Sequence, residues 1–386
     1  MSNRVRSLMA VAAQAAASAG GGAGGPGNAF TWGKWYGNAH GQGGAYLEVH
    51  LSSPMQLGTD DDWVQAIRLQ GHTLALQSDG TIHDWGKGTN GRLGHGNFDP
   101  QETPLQVGTD TDWAGWGEDR VAWDGTQGEF SMILKTDGTL WAWGYNTSGQ
   151  LGLGDILVRN SPVQVGTDTD WAWISQSTDA SLGIKTTGKM YSWGIGQPKQ
   201  GHNNMTAYSS PVQVGTDTDW VRVAAGQNHS GAIRSNGTLW TWGSNAYGCL
   251  GHNTSGGGGT KSSPTQVGAD TDWANVAMGR DITLATKTDG TLWSWGFNVN
   301  GQLGLGHTTT VSSPVQVGTD TDWEQIATGY RNSSAVKTDG TGFTWGNGTS
   351  YGAHGLGDTV PRSVPVQLAG TWLFLNASMD GGFGVQ

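Results

Sequence analysis

The sequence has one cysteine, Cys249, so no internal disulfide can staple it. It has no run of Lys or Arg, and its 20 basic residues are outnumbered by 31 acidic ones, for a net charge of −11. Duplex nucleic acid and anionic membrane surfaces call for a basic footprint that displaces counterions, so neither is an expected partner. No apolar stretch is long enough to suggest a transmembrane helix. Hydrophobic residues make up only 35% and charged residues 13%. Such poverty would suggest disorder, but the chain also carries 21 Trp and 66 Gly. The Trp must fill a core, and the Gly must supply turns between many short elements.

Both are arranged periodically. The dipeptide Trp-Gly recurs at Trp32, Trp85, Trp143, Trp193, Trp242, Trp295 and Trp345, and a Pro-x-Gln-(Val/Leu) marker recurs at Pro54, Pro104, Pro162, Pro211, Pro264, Pro314 and Pro365. Six of the latter run on through Gly-(Thr/Ala)-Asp-x-Asp to Trp63, Trp113, Trp171, Trp220, Trp273 and Trp323. Two independent markers therefore count to seven, at a spacing of roughly fifty residues. Within a unit the elements read as strands. Trp141/Trp143, Trp240/Trp242 and Trp293/Trp295 are two apart, which places both rings on one face of a strand. Asp79-Gly80, Asp137-Gly138, Asn236-Gly237, Asp289-Gly290 and Asp339-Gly340, with Thr187-Gly188 as a weak copy, are two-residue hairpin turns.

Each unit thus reads as a four-stranded antiparallel sheet that needs neighbours on both faces, and seven of them make an all-β, seven-bladed β-propeller. Six turn pairs are present where seven are needed. The C-terminal end, Thr371 to Gln386, matches the first half of a unit, and Ala29-Phe30-Thr31-Trp32-Gly33 matches the second half. One blade is therefore expected to pair N- and C-terminal strands, which closes the ring and removes its free edges.

The loop after the third strand carries a resemblance. Gly144-Tyr-Asn-Thr-Ser-Gly-Gln-Leu-Gly-Leu-Gly154 and Gly296-Phe-Asn-Val-Asn-Gly-Gln-Leu-Gly-Leu-Gly306 stand almost intact, with degraded copies at 86–96, 243–251 and 346–357. These residues resemble the regulator-of-chromosome-condensation repeat family, over residues 29 to 386. The resemblance implies seven blades. The founding eukaryotic member of that family is a nucleotide exchange factor for a small GTPase that also sits on chromatin. The acidic balance and the absence of a basic N-terminal tail give chromatin binding no support, and the regularity of the units resembles bacterial and viral members with structural or adhesive roles.

Breaks in the repeat are where function is sought. From the Asp-x-Asp-Trp tryptophan to the turn glycine, five units span 17 residues, whereas the unit at Trp113 spans 25. The excess lies within 114–129, and Trp116, Glu118, Asp119, Arg120 and Trp123 read as a protein-contact loop, or else as a neutral insertion with its Trp packed locally. A second long loop, 33–50, offers Trp35, Tyr36 and Tyr46, and a third, 252–262, reads as a Gly-rich spacer. The Asp-x-Asp pairs supply too few oxygens for Ca²⁺ and read as turn-capping groups. His72 and His229 share one position, nine residues after their Trp, with no recurrent ligand beside them, and read as strand-end hydrogen-bonding groups. Gly348-Thr-Ser350-Tyr-Gly352 fits a nucleophile elbow by letters alone, because no strand-to-helix turn surrounds it. No catalytic residue, metal or cofactor is expected.

Residues 1–27 form a separate segment. Arg4 and Arg6 precede an Ala-rich run that includes Leu8 and Met9, followed by a Gly-rich tether up to the propeller at 28–386. The readings are an anchoring helix that docks on a larger assembly, a secretory signal ending at Ala17-Ser18-Ala19, and a frayed tail. The sequence-based expectation takes the first. It is a non-catalytic structural or protein-interaction propeller held by Arg4, Arg6, Leu8 and Met9 on a virion, as a phage tail or capsid decoration, or on a cell surface. The alternatives are a cytoplasmic exchange factor for a small GTPase and a glycan-binding adhesin.

Overall fold

The computed structural model describes residues 26–34, 41, 50–69, 71–117, 128–256, 259–349, 352–378 and 381–386. The described residues form seven four-stranded antiparallel sheets. Blades 1 to 6 begin at Trp63, Trp113, Trp171, Trp220, Trp273 and Trp323, and blade 7 begins at Phe374. In blade 3 the strands are Trp171–Gln176, Ala180–Lys185, Met190–Gly194 and Tyr208–Gln213, in that order across the sheet.

The third strand shows why the Trp-Gly pair repeats. Trp143 is fully buried, and Gly144 follows with φ +102°. A Cβ at Gly144 would lie 2.6 Å from the Phe130 Cα on the neighbouring strand, so glycine alone fits there. The fourth strand faces outward, and its Pro sits where the ladder slips. Between Gly33↔Leu51 and Thr31↔Met55 the register shifts beside Pro54. A Pro at such an irregularity denies an incoming strand its hydrogen bonds and blunts the edge.

The blades are held by packing and by one repeated hydrogen-bond device. The indole Nε1 of Trp143, Trp193, Trp242, Trp295, Trp345 and Trp32 donates to the loop carbonyl of Arg92, Gln150, Lys199, Cys249, Gln302 and Ala353 in the preceding blade, over 2.7–3.1 Å. Five of these carbonyls also accept the hydroxyl of Ser131, Ser181, Ser230, Thr283 or Ser333. Each third-strand Trp thus fills the inter-blade core while its one polar atom is satisfied. Replacing such a side chain by Ala costs about 3–5 kcal/mol.

The ring closes as expected. Blade 7 is built in the order Leu51–Gln56, Ala29–Gly33, Gly381–Val385, Phe374–Ala377, with Ala29 opposite Val385 and Gly33 opposite Gly381. In blades 1 to 5 the carbonyl of the turn glycine accepts the N–H of the next blade's first residue, as Trp171 N to Gly138 O at 3.1 Å, and in blade 6 Gly340 O accepts from Trp372 N, just ahead of blade 7, at 2.7 Å. At the seventh seam Gly27 takes that place, exchanging hydrogen bonds with Trp63, and Asn28 and Gln386 bond to each other's backbone at 3.0 Å. The missing hairpin is replaced by a pairing of the two chain ends.

One further residue holds this seam. Arg68, on the first strand of blade 1, is buried, and its guanidinium donates to the carbonyls of Trp32 at 2.8 Å, Lys34 at 3.1 Å and Gly382 at 3.0 Å. It ties the N-terminal strand, the C-terminal strand and the adjoining blade together.

Candidate functional site

Blades 1 to 6 present their hairpin turns and Asp-x-Asp segments on one face of the disc. In five of them a cation stands two residues before the turn and falls between the two carboxylates. Lys135 meets Asp110 and Asp112 at 2.6 and 2.9 Å, Lys185 meets Asp168 and Asp170 at 2.8 and 2.9 Å, and Lys287 and Lys337 repeat the geometry on Asp270/Asp272 and Asp320/Asp322. Arg234 does so with Asp217 and Asp219. Each cation also lies over two rings; Lys135 Nζ, for example, is 4.7 Å from the Trp113 centroid and 4.8 Å from Trp141. Burial pulls Lys135 down, but the hydrogen bonds and charges of Asp110 and Asp112 outweigh it and hold the ammonium above its ordinary value.

The Asp-x-Asp pairs are therefore filled by the chain's own cations, and they bind charge rather than cap turns. The turn carboxylates do the capping: Asp137 Oδ1 accepts from Thr139 N and Oγ1 at 2.9 and 2.7 Å. Blade 1 departs from the pattern, with Gln77 in the cation's place, donating to Asp62 at 2.8 Å, and His83 in place of the second ring.

The two shared-position histidines are structural. His229 is fully buried with Nε2 2.9 Å from Thr283 Oγ1, and burial drives its pKa down to about 3, so the ring is neutral. His72 makes the equivalent contact to Ser131 at 3.1 Å.

The opposite face carries the loops. In blades 1 to 6 the residue after the third strand's Trp-Gly donates to the residue before the second strand, as Phe297 N to Asp281 O at 2.9 Å, so the loops joining strands 1 and 2 lie beside those joining strands 3 and 4. The Asn of the family loop organises the latter. Asn146 Oδ1 accepts from Leu151 N at 3.0 Å while its amide donates to the Asp155 and Leu157 carbonyls, and Asn298 repeats this.

The long insertion of blade 2 leaves from this face. Its Trp116, expected on the contact surface, is instead 5% exposed and packed in the core, with Nε1 donating to Met132 O at 2.7 Å. The insertion begins Gly115-Trp116-Gly117, and Trp173 of the next blade packs against Gly117, where a Cβ would lie 2.5 Å from its ring. The local-packing reading holds for this Trp, because a ring so enclosed has no surface to offer a partner. Glu118, Asp119, Arg120 and Trp123 lie outside the described residues, as do Trp35, Tyr36 and Tyr46 of the second loop and Arg4, Arg6, Leu8 and Met9 of the N-terminal segment.

A different group of residues meets on the loop face, across blades 4 to 6. Arg280 and Arg331 both stack on Tyr330, with guanidinium carbons 4.2 and 5.2 Å from its centroid. Arg331 is exposed, and the Arg280 side chain is 38% exposed. Arg280 stands 3.5 Å from Asp281, which also accepts the Asn228 amide at 2.8 Å. Beside Asp281 runs Phe297, whose ring lies 4.6 Å from that of Tyr247, itself 42% exposed. The sequence offers no motif for this group, since its members come from four separate loops. A position-by-position comparison of the units would have shown Arg331 where sister blades have Glu129, Asp179, Asn228 and Asp281.

The RCC1-like domain family model matches residues 28–385. The Arabidopsis thaliana ultraviolet-B receptor UVR8 is 30% identical over 245 residues, which is 61% of this chain and 53% of the receptor. The probable E3 ubiquitin-protein ligase HERC3 of Homo sapiens is 33% identical over 138 residues, 35% of this chain and 13% of the ligase. The chain thus spans about half or less of the length of these curated relatives. Among solved structures, Prp20p of Saccharomyces cerevisiae, whose binding to Gsp1p and histones accompanies its structure, superposes with TM-score 0.79 at 21% identity, covering 94% of this chain and 91% of Prp20p. These matches overturn the expectation of a virion or cell-surface structural component. They lie among eukaryotic regulators, a receptor and ubiquitin ligases, and none points to a phage particle or a glycan adhesin.

Proposed function

The chain belongs to the RCC1-like domain family, and from that premise we propose that it is a regulatory propeller that binds a protein partner, a small GTPase, and speeds release of its bound nucleotide. The observation that carries the reading is the contrast between the two faces. On the turn face five blades consume their cations internally, whereas the loop face leaves Tyr247 and Arg331 exposed, with Tyr330 half-buried beneath Arg331. Tyr and Arg are the residue types that dominate binding energy at protein interfaces. The resemblance in fold to Prp20p, which binds Gsp1p, supports the choice of partner class. Ubiquitin transfer is not carried over from HERC3, because that match covers 13% of the ligase.

The test is nucleotide release from a panel of small GTPases loaded with a fluorescent GDP analogue. Catalytic amounts of the full chain should accelerate release from at least one of them. Release at the spontaneous rate across the panel removes the exchange reading.

A further inference from the structure

The loop face carries more specific information than a general capacity to bind protein. Two other cations on this face are buried and paired: Arg92 meets Glu129 at 3.0 Å, and Lys199 meets Asp179. Arg331 has no carboxylate partner among the described residues; its contact is with the Tyr330 ring. Arg280 has one carboxylate, Asp281, but that side chain is 9% exposed and shared with Asn228. Burial holds the Asp281 carboxyl above its ordinary value against the pull of Asn228 and Arg280. Among the described residues, a chain of net charge −11 thus presents on its loop face an exposed arginine with no carboxylate partner, beside a second arginine whose one carboxylate is shared.

The geometry around it is ordered. Both guanidinium groups lie over the Tyr330 ring, a contact that restricts them and reduces the entropy they lose on binding. A planar, pre-oriented guanidinium matches a carboxylate, with two N–H donors facing two oxygens. Next to the arginines, Phe297 and Tyr247 form a tilted pair, 55° between planes, that offers apolar area to a neighbouring side chain. Cation, aromatic and apolar groups thus follow one another across three blades.

The geometry points to the Arg280–Tyr330–Arg331 group, extended by Phe297 and Tyr247, as the docking site for an acidic segment of the partner protein, its carboxylates on the two arginines and an aromatic or aliphatic side chain on the Phe297–Tyr247 pair. This rests on the protein-binding reading above but not on the partner being a GTPase. Charge complementarity selects an acidic peptide: polyanionic nucleic acid would bring many more phosphates than two arginines can meet, into the field of an acidic protein.

The test uses the full chain and fluorescein-labelled peptides, Glu-Glu-Phe-Glu-Glu-Phe and its charge-reversed counterpart Lys-Lys-Phe-Lys-Lys-Phe, read by fluorescence polarisation. The acidic peptide should bind and the basic one should not, and binding should weaken as salt rises. Arg331→Glu, on an exposed side chain, should weaken acidic-peptide binding on the order of tenfold or more while the thermal melt stays that of the wild type. Tyr330→Ala should weaken it too, and Tyr330→Phe, which keeps the ring, should not. Equal binding of both peptides, unchanged affinity in Arg331→Glu, or displacement of the peptide by a single-stranded oligonucleotide overturns the assignment. The two proposals can fail separately. Exchange activity that survives Arg331→Glu leaves the GTPase reading standing without this site, and peptide binding without exchange leaves the site without that reading.

Discussion

Replacing Arg68 by Met should open the ring at its weakest join. Six of the seven blades are continuous between second and third strands through a covalent hairpin, but blade 7 relies on pairing of Ala29–Gly33 with Gly381–Val385. Arg68 contributes three hydrogen bonds to carbonyls of this seam, at 2.8, 3.0 and 3.1 Å, from a side chain that is 4% exposed. A hydrogen bond to a charged group is worth about 1.5–3 kcal/mol, and removing its donor leaves a buried carbonyl short of a partner. Three such bonds share one guanidinium and are not additive, so a net loss of roughly 3–5 kcal/mol is expected, with Met occupying most of the volume. Gln176→Met is the internal control. Gln176 occupies the corresponding position on blade 3 and donates once to a carbonyl, Phe130 O at 3.0 Å, beside a blade closed by its own turn. Its loss should cost about 1 kcal/mol. Guanidinium unfolding followed by Trp fluorescence gives the stabilities, and amide hydrogen exchange gives the location. Exchange should accelerate in Ala29–Gly33 and Gly381–Val385 for Arg68→Met and not for the control. An Arg68→Met protein within about 0.5 kcal/mol of wild type, or with unchanged exchange in those strands, refutes the idea that this guanidinium holds the seam.

Gln77→Lys should complete a sixth cation clamp on Asp60, Asp62 and Trp63, and because the sister carboxylates are about half exposed the gain should be modest, about 0.5–1 kcal/mol, seen as a raised melting midpoint. Asp84 is fully buried with no side-chain donor on its carboxylate, at the position where Ser192, Thr241, Ser294 and Thr344 donate to a loop carbonyl over 2.7–2.8 Å. Burial pushes its carboxyl well above the ordinary value, opposed by the Trp85 N–H and the Arg92 charge, so the folded state keeps a proton that the unfolded chain releases. Stability should then fall as pH rises above the ordinary carboxylate range, by up to about 1.4 kcal/mol per pH unit, and Asp84→Thr should abolish that slope in melts across pH. His229 acts at the other end: held neutral when folded, with a pKa of about 3, it should cost stability as pH falls from about 6.5 towards 3, and a substitution that cannot be protonated should flatten that limb. Gly138→Ala should destabilise by more than about 1 kcal/mol, since φ is +79° and the new Cβ would lie 2.3 Å from Thr169 O of the next blade, which a chemical melt would register.

The local and periodic features of this protein were written in its sequence. Trp-Gly at the ends of the third strands and Pro-x-Gln-(Val/Leu) each recur seven times in register, Asp-Gly pairs mark the hairpins, and half-units at the two ends declare the closure, because β-strand alternation, turn conformation and repeat length are properties of short stretches of chain. The clamps were legible in principle as well, since Lys135, Lys185, Arg234, Lys287 and Lys337 stand at one fixed place in the repeat, but only the fold shows that this place meets the Asp pair. What the tertiary structure alone decided joins residues that no spacing rule relates. Arg68 reaches Gly382 across 314 positions, and Arg280, Tyr330, Phe297 and Tyr247 converge from four loops of three blades. The same holds for Trp116. Its position in an insertion suggested exposure, yet one more Trp beside a sheet of Trp gained most by burial, and whether a ring turns inward is settled by the space its neighbours leave.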